Sequence, residues 1–469
     1  MPIRFLAAVL FSLLVAGAAP LRAGDIPRRP NVILVLVDDL GWSDLGCFGG
    51  PTATPHIDRL AAEGRRFRRF YVNAPICSPS RVALTTGQYP QRWRITSYLD
   101  NRENNAARGM AQWLDPGAPV LARELGRAGY ATGHFGKWHM GGQRDVGDAP
   151  LITAYGFERS LTNFEGLGPR VLPLLDARDG TPPRRHDIGS GSLGRGPIRW
   201  EARAAITGSF VAEAVAFIDE AVRAGKPFYL NLWPDDVHSP YFPAAQLPPG
   251  ADKRTRYRAV LQELDRSLGV LFDRIRDDPT LRNDTLVLLC ADNGHDDGAG
   301  SSAPLRGGKT WLYEGGVRSP LIAWGPGLVA ADAAGRVDDT TVFCSLDLNR
   351  SLYAISGTPL PAGTMPDGED MSAALVGRGQ ATRQAPIFWR RPPDRPGKNG
   401  IDNPDLAACE GRWKYYVNFD GGARQLYDLE ADAAEMENLV AKEPEIAARL
   451  QRALEAWNAS VPPDACVPR

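Results

Sequence analysis

Histidine and lysine are scarce in this 469-residue chain, at six and seven residues, although lysine and arginine together number 54. Basic charge is thus carried almost wholly by arginine, and every lysine stands against the drift of the composition. Net charge is nearly absent as well: 54 cationic and 55 acidic side chains leave −1. A chain without a basic field cannot displace counterions from nucleic acid, so that class of partner is excluded. The same balance excludes an acidic disordered tail. Cysteine is sparse: Cys47, Cys77, Cys290, Cys344, Cys409 and Cys466 show no C-x-x-C spacing. A zinc ribbon is excluded, and six cysteines are too few for a disulfide scaffold of this length. The 49 glycines and 39 prolines follow no G-X-Y period, which excludes collagen. No apolar run reaches the roughly 20 residues that a bilayer-crossing helix needs, so no membrane span is expected. Internal repeats and low-complexity tracts are absent.

The first residues have the pattern of a secretory leader. Arg4 supplies a positive start, Phe5 to Val15 an apolar stretch, and Leu21-Arg22-Ala23 a small-residue cleavage site. The expectation is a signal peptide over 1–23 and an exported protein, periplasmic or secreted. No cysteine near the cleavage site points to a lipid anchor.

Asn31 to Val37 is a near-continuous β-branched run, the pattern of a strand buried on both faces of a parallel sheet, and it ends in Asp38-Asp39. Similar runs occupy 227–233 and 285–291, ending near Asp235, Asp236 and His238 and in Asp292-Asn293-Gly294, with a shorter candidate at 321–324. Amphipathic helical patterns fall between them at 120–128, 210–222 and 257–275. This alternation predicts an α/β fold: a doubly wound, mostly parallel central sheet flanked by helices. Residues 145–200 are rich in Gly, Pro and Arg and read as a long insertion. After about residue 375 the pattern becomes short aromatic strands at 387–391, 413–419 and 425–429 and a terminal helix at 443–457. The expected division is a main domain over 30–375 and a small antiparallel α+β subdomain over 376–469.

Open α/β sheets place ligands beyond the carboxyl ends of their strands, where Asp38, Asp39, Asp292 and Asn293 fall. Four hard oxygen donors suit Ca²⁺ or Mg²⁺ better than Zn²⁺, which prefers nitrogen and sulfur. In Cys77-Ser78-Pro79-Ser80-Arg81, Pro79 suits a first helical turn and Ser78 its cap, which puts Cys77 at a helix entrance favourable to anions. Lys137 and His139 flank Trp138 on a stretch read as extended, which would point both side chains to one side. Lys309 follows a Gly-rich loop, and His238 precedes Ser239-Pro240 at a strand end.

The Cys77 segment resembles the C-x-P-S-R signature of the formylglycine-dependent sulfatase family, within the alkaline phosphatase superfamily. The resemblance continues in order through Pro30-Asn31-Val32 to Gly41, Gly136-Lys137-Trp138-His139, His238-Ser239-Pro240 and Asp292-Asn293-Gly294. It extends to Arg306-Gly307-Gly308-Lys309, Glu314 to Arg318 and Leu426-Tyr427-Asp428-Leu429. It implies that Cys77 is oxidised to formylglycine (3-oxoalanine) by a separate maturase. It also implies a Ca²⁺ or Mg²⁺ ion held by Asp38, Asp39, Asp292, Asn293 and the converted Cys77. Further implied are a hydrated aldehyde that attacks sulfur, with Arg81 and Lys137 spreading its charge, and His238 and Lys309 serving the departing oxygen. His139 would take the proton of the remaining hydroxyl, so that sulfate is expelled and the aldehyde restored. A serine contacting sulfate in some members has no counterpart that can be aligned here.

The implied activity is hydrolysis of a sulfate ester, on a sulfated carbohydrate by family habit. The alternatives are a phosphonate or phosphodiester hydrolase on the same scaffold and a non-catalytic sulfated-glycan-binding protein. Elsewhere, Arg65-Arg66-Phe67-Arg68-Arg69-Phe70 reads as a strand with a solvated arginine face. Cys290 reads as a buried small hydrophobe, and His56, His134, His186, Asp44 and Arg318 as structural. His295 is a weaker candidate for the substrate pocket. The identity of the sulfate ester and the oligomeric state are not legible.

Overall fold

Alternate residues of the run Asn31–Val37 enter two different cores: Val32, Leu34 and Leu36 one, Ile33, Val35 and Val37 the other. A strand with apolar cover on both faces needs no polar alternation, which is why residues 32–37 are apolar throughout. In the computed structural model the described residues are 29–464, apart from 143, 176–183, 186–194 and 399. The leader assigned to 1–23, His186 and Cys466 lie outside them.

In chain order the elements that matter for the site are β1 (Asn31–Val37), β2 (Arg65–Tyr71), α1 (Cys77–Thr86), α2 (Leu121–Arg127), β3 (Ala131–Gly136) and β4 (Arg159–Leu161). They continue with α3 (Ile206–Arg223), β5 (Phe228–Trp233), α4 (Lys253–Asp277), β6 (Thr285–Ala291) and β7 (Arg318–Trp324). The central sheet runs β2-β7-β6-β1-β5-β3-β4, with the short strands Val337–Asp338 and Phe343–Cys344 along β2. Only β7 is antiparallel to its neighbours β2 and β6; the pairs among β6, β1, β5, β3 and β4 are parallel. The expected mostly parallel, doubly wound sheet is the observed one. Helices α3 and α4 cover one face through Phe210, Phe217, Leu264 and Leu268. Helices α1 and α2 cover the other through Val82 and Leu121.

A second sheet is antiparallel: β8 (Ile387–Arg390), β9 (Leu406–Glu410), β10 (Trp413–Val417) and β11 (Gln425–Asp428), closed by α5 (Pro444–Ser460). Its apolar residues Trp389, Ala407 and Tyr415 belong to the same continuous core as Val32 and Val82. No helix among the described residues is long and apolar enough to cross a membrane.

Two sequence expectations need correction. The arginine face of β2 is not solvated: Arg68 is exposed, but Arg69 is buried and donates through Nη2 to the Gly411 carbonyl at 2.5 Å, while Arg65 pairs with Asp338 at 2.6 Å. These cations dock neighbouring segments onto the sheet. The insertion over 145–200 supplies the edge strand β4 and, continuing to Ala202, a small sheet of Arg170–Leu175, Arg184–Arg185 and Ile198–Ala202. The stretch carrying Lys137 and His139 is not extended. Strand β3 stops at Gly136, whose φ is +122°, and His139 is left-handed at +53°.

Candidate active site

Register explains how the oxygen donors meet. Val37 pairs with Ala291 in the parallel β1–β6 ladder, so Asp38 and Asp292 leave adjacent strands at the same level. The Asp39 N–H donates to Asp292 Oδ1 at 3.1 Å, and the Asn293 amide donates to Asp39 Oδ1 at 2.7 Å. Asp39 itself is left-handed, with φ +57°. Carboxylate oxygens of Asp38, Asp39 and Asp292 lie within 4.8 Å of one another, and all three side chains are buried. Asn293 Oδ1 is buried with no hydrogen-bond partner among the described residues. An unpaired amide oxygen beside three buried carboxylates is unfavourable without a cation and well suited to a hard divalent one. Gly294 permits this crowding, since a Cβ there would lie 1.9 Å from the Gly315 carbonyl oxygen.

Helix α1 places Cys77 in this cluster. The helix begins at Cys77 with Ile76 as its N-cap, two residues earlier than the sequence implies. Ser78 is therefore not the cap, and its hydroxyl accepts the Leu99 N–H at 3.0 Å. Cys77 and Arg81 are four residues apart and so share a helix face. Cys77 Sγ approaches Asp38 Oδ1 at 3.5 Å, while Arg81 Nε and Nη2 donate to Asp292 Oδ2 at 3.0 and 2.6 Å. The third guanidinium nitrogen donates to the Lys137 carbonyl at 3.0 Å, and the group lies over the Trp233 ring.

The scarce lysines converge here. Lys137, fully buried just past β3, reaches Asp38 Oδ2 at 2.5 Å and lies 4.4 Å from the centre of the Phe164 ring. Lys309 reaches Asp39 Oδ2 at 2.7 Å from a partly open position, and His238 Nε2 stands 3.9 Å from the same oxygen. The His238 Nδ1 lies 2.7 Å from the Ser239 carbonyl. One carboxylate thus faces Lys137 and Arg81, the other Lys309 and His238, with Cys77 on the Asp38 side.

Charge follows geometry. Burial alone would raise the Asp38 carboxyl, but Lys137, His238, Arg81 and Lys309 hold it well below the usual carboxylate range. Burial and the neighbouring Asp38 push Asp292 up to about 7 against Arg81 and Lys137. Burial and Asp38 also push the Cys77 thiol up, although Lys137 and Lys309 oppose them. As encoded, this side chain stays a thiol and is a poor nucleophile.

His139 is buried behind Lys137. Its Nε2 lies 2.8 Å from Glu165 Oε1 and 3.3 Å from the Leu99 carbonyl, and its ring packs edge-on against Phe164. Burial, Lys137 and Arg81 pull its pKa well below the ordinary histidine value. Glu165 and Phe164 come from the Gly-rich insertion, and no spacing in the sequence marked them. Asn163, in the same turn, donates to Asp235 Oδ1 at 2.6 Å, which Arg203 also holds, at 3.0 Å.

The residues read as structural behave so. Asp44 accepts from the Gly41 and Ser301 amides and from Tyr257, tying two loops together. Arg318 pairs with Glu314, and His134 is enclosed by Trp138, Phe157 and Trp233. His295 lies 2.9 Å from the Ser302 hydroxyl, and its carbonyl accepts the Lys309 N–H, which makes it a support for the lysine loop. Cys290 is fully buried, and none of the five described cysteines forms a disulfide.

Comparison with known proteins matches this arrangement to one family. Residues 30–355 match the Sulfatase family profile. The chain is 35% identical over 395 residues to N-acetylgalactosamine-6-sulfatase of Canis lupus familiaris, covering 81% of this chain and 72% of that one. It is 34% identical over 455 residues to arylsulfatase A of Homo sapiens, covering 92% and 83%. Among solved structures, Ps i-CgsB in complex with k-i-k-neocarrahexaose superposes with a TM-score of 0.74 at 26% identity, covering 92% of this chain and 93% of that one. With the profile spanning well over half the sequence and relatives above 30% identity along most of it, the chain belongs to the sulfatase family and is a sulfuric ester hydrolase.

Proposed function

We propose that the protein is an exported sulfatase that removes a sulfate ester from a carbohydrate, using formylglycine made from Cys77 and a Ca²⁺ ion, or Mg²⁺ in its place. The observation that carries this reading is the meeting of Cys77, Arg81, Lys137 and Lys309 on the same three strand-end carboxylates. A thiol held protonated by burial has little nucleophilic use as encoded, which favours its conversion. The carbohydrate part is supported by relatives named for N-acetylgalactosamine 6-sulfate and by a structural neighbour solved with a neocarrahexaose. Export is supported by the leader pattern of residues 1–23.

Asp38, Asp39, Asp292, the free Asn293 oxygen and the converted Cys77 would hold the cation, which supplies Lewis-acid polarisation of sulfate oxygens. A hydrated aldehyde at position 77 supplies one hydroxyl for attack on sulfur and a second through which sulfate is released. The chain's own groups do the rest. Arg81 and Lys137 are fixed cations on the attacking side, already desolvated and oriented, so they stabilise developing negative charge with little reorganisation. His238 and Lys309, on the Asp39 side, are more open and sit where a departing alcohol oxygen can take a proton. His139, kept neutral by burial and by Lys137, serves as a proton acceptor.

The test is peptide mass spectrometry of the Cys77 segment, together with sulfate release from a panel of sulfated mono- and disaccharides. An aldehyde in place of the thiol and turnover abolished in a folded Cys77→Ala variant are expected. Faster turnover of a matched phosphate or phosphonate ester than of the sulfate ester would overturn the substrate assignment.

A further inference from the structure

Three side chains of the site converge on one aromatic ring that carries no proton and no charge. The Lys137 ammonium lies over the face of Phe164, 4.4 Å from its centre. The His139 ring meets it edge-on at 4.8 Å, and the His238 ring lies tilted to it at 5.8 Å. Lys137 faces Asp38 and His238 faces Asp39, so Phe164 stands between the attacking and the leaving sides. It is half-buried, whereas its neighbours Asn163 and Glu165 are buried. The turn that carries it is fastened at three places. Asn163 Nδ2 donates to Asp235 Oδ1 at 2.6 Å, the Phe164 carbonyl accepts the Trp138 N–H at 3.2 Å, and the Gly166 N–H donates to the Gly141 carbonyl at 2.8 Å. The ring is thus built onto the segment that presents Lys137 and His139.

Lys137 needs a second contact. An ammonium on a flexible four-carbon stem has three donors, and among the described residues its only hydrogen-bond acceptor is Asp38. One such bond fixes a distance and leaves the group free to swing about the carboxylate oxygen. The negative face of an aromatic ring supplies the missing attraction, which is strongest where water is excluded, as it is around the fully buried Lys137. A second carboxylate would also hold the ammonium, but it would cancel the charge that the reaction uses. A neutral ring holds the cation and leaves that charge to the reacting group. We propose that Phe164 is the positioning residue of Lys137, holding its ammonium in place through the π-face. This rests on the reading of Lys137 as an attacking-side cation given above.

The deciding experiment exchanges Phe164 for mono-, di- and trifluorophenylalanine, which keep its shape while draining charge from its face. Each rate is divided by the aldehyde content at position 77, so that altered maturation does not enter. The logarithm of kcat should fall in step with the number of fluorines, to about tenfold at three, with KM and melting temperature little changed. Phe164→Leu, apolar but without a π-face, should lose at least as much; if it does not fold, the near-isosteric series still decides. In Lys137→Met protein the dependence on fluorine should vanish. A flat or rising kcat across the series overturns the proposal. So does a change confined to KM, which would make the ring a wall for the substrate, or a fluorine dependence that persists without Lys137. Full activity in Lys137→Met sinks instead the reading of that lysine as an attacking-side cation.

Discussion

Lys414 Nζ, on the second sheet, lies 2.7 Å from Glu314 Oε1, in the loop between Lys309 and β7, and both side chains are completely buried. Tyr71 donates to the other Glu314 oxygen at 3.0 Å, Arg318 pairs with it at 3.2 Å, and the Lys414 ammonium lies 5.1 Å from the centre of the Trp389 ring. The network joins β2, β7 and β10 beneath the loop that presents Lys309.

Removing one partner leaves the other charged and without water. Lys414→Met should therefore cost about 3–5 kcal/mol, read as a lower urea midpoint. The double variant Lys414→Met/Glu314→Gln should recover part of that loss. A midpoint that does not move in the single variant would show that this pair does not tie the two sheets together.

Glu435 adds a pH dependence to the same network. Its carboxyl accepts from Tyr416 and from the Glu314 N–H, and burial together with the charge of Glu314 raises it from 4.5 to about 7 against the pull of Lys414. The native state keeps a proton that the unfolded chain releases near 4.5. This contribution is therefore complete below that pH and is lost as pH climbs toward 7. Glu435→Gln should flatten the decline of folding free energy across this window. Denaturant titrations at several pH values with equal slopes for wild type and variant would refute it.

Exhaustive chelation should remove activity, with Ca²⁺ restoring it better than Zn²⁺. Calcium at about 100 times its dissociation constant should stabilise the fold by about 2.7 kcal/mol, visible as a higher melting temperature. Asn293→Ala, which deletes the one unpaired amide oxygen of the cluster, should shrink that shift. Activity and melting temperature indifferent to metal stripping would count against a cation at these residues.

Lys309→Met should lower kcat by about 10²–10³-fold, and in metal-free protein it should also lower the melting temperature, because it leaves the buried Asp39 carboxylate without its ion-pair partner. Arginine should not restore the rate, since its planar fork cannot replace a compact ammonium that gives up a proton. Kinetics on one sulfated substrate with all three side chains decide the matter.

The sheet was legible because a strand covered on both sides must be apolar along its buried length, as residues 32–37 are. The motifs at its carboxyl ends were legible because a parallel ladder brings residues such as Asp38 and Asp292 to one level. Contacts made across the insertion were not legible. Glu165 meets His139 only because left-handed turns fold a Gly-rich segment back onto β3, and neither periodicity nor spacing encodes that path. The role of Arg69 was misread for a related reason. Alternation along β2 says which way a side chain points, but not that the Gly411 carbonyl will be there to meet it.

Every residue of α1 is buried, and Cys77 is only 2% exposed. An enzyme large enough to recognise Cys77, Pro79 and Arg81 together cannot grip a helix enclosed on all sides. On the chemistry proposed, conversion must come before the tertiary structure closes, while the segment is still an open strand of polypeptide. Maturation would then compete in time with folding, and a batch of protein that folds too quickly would be well formed, soluble and permanently inert.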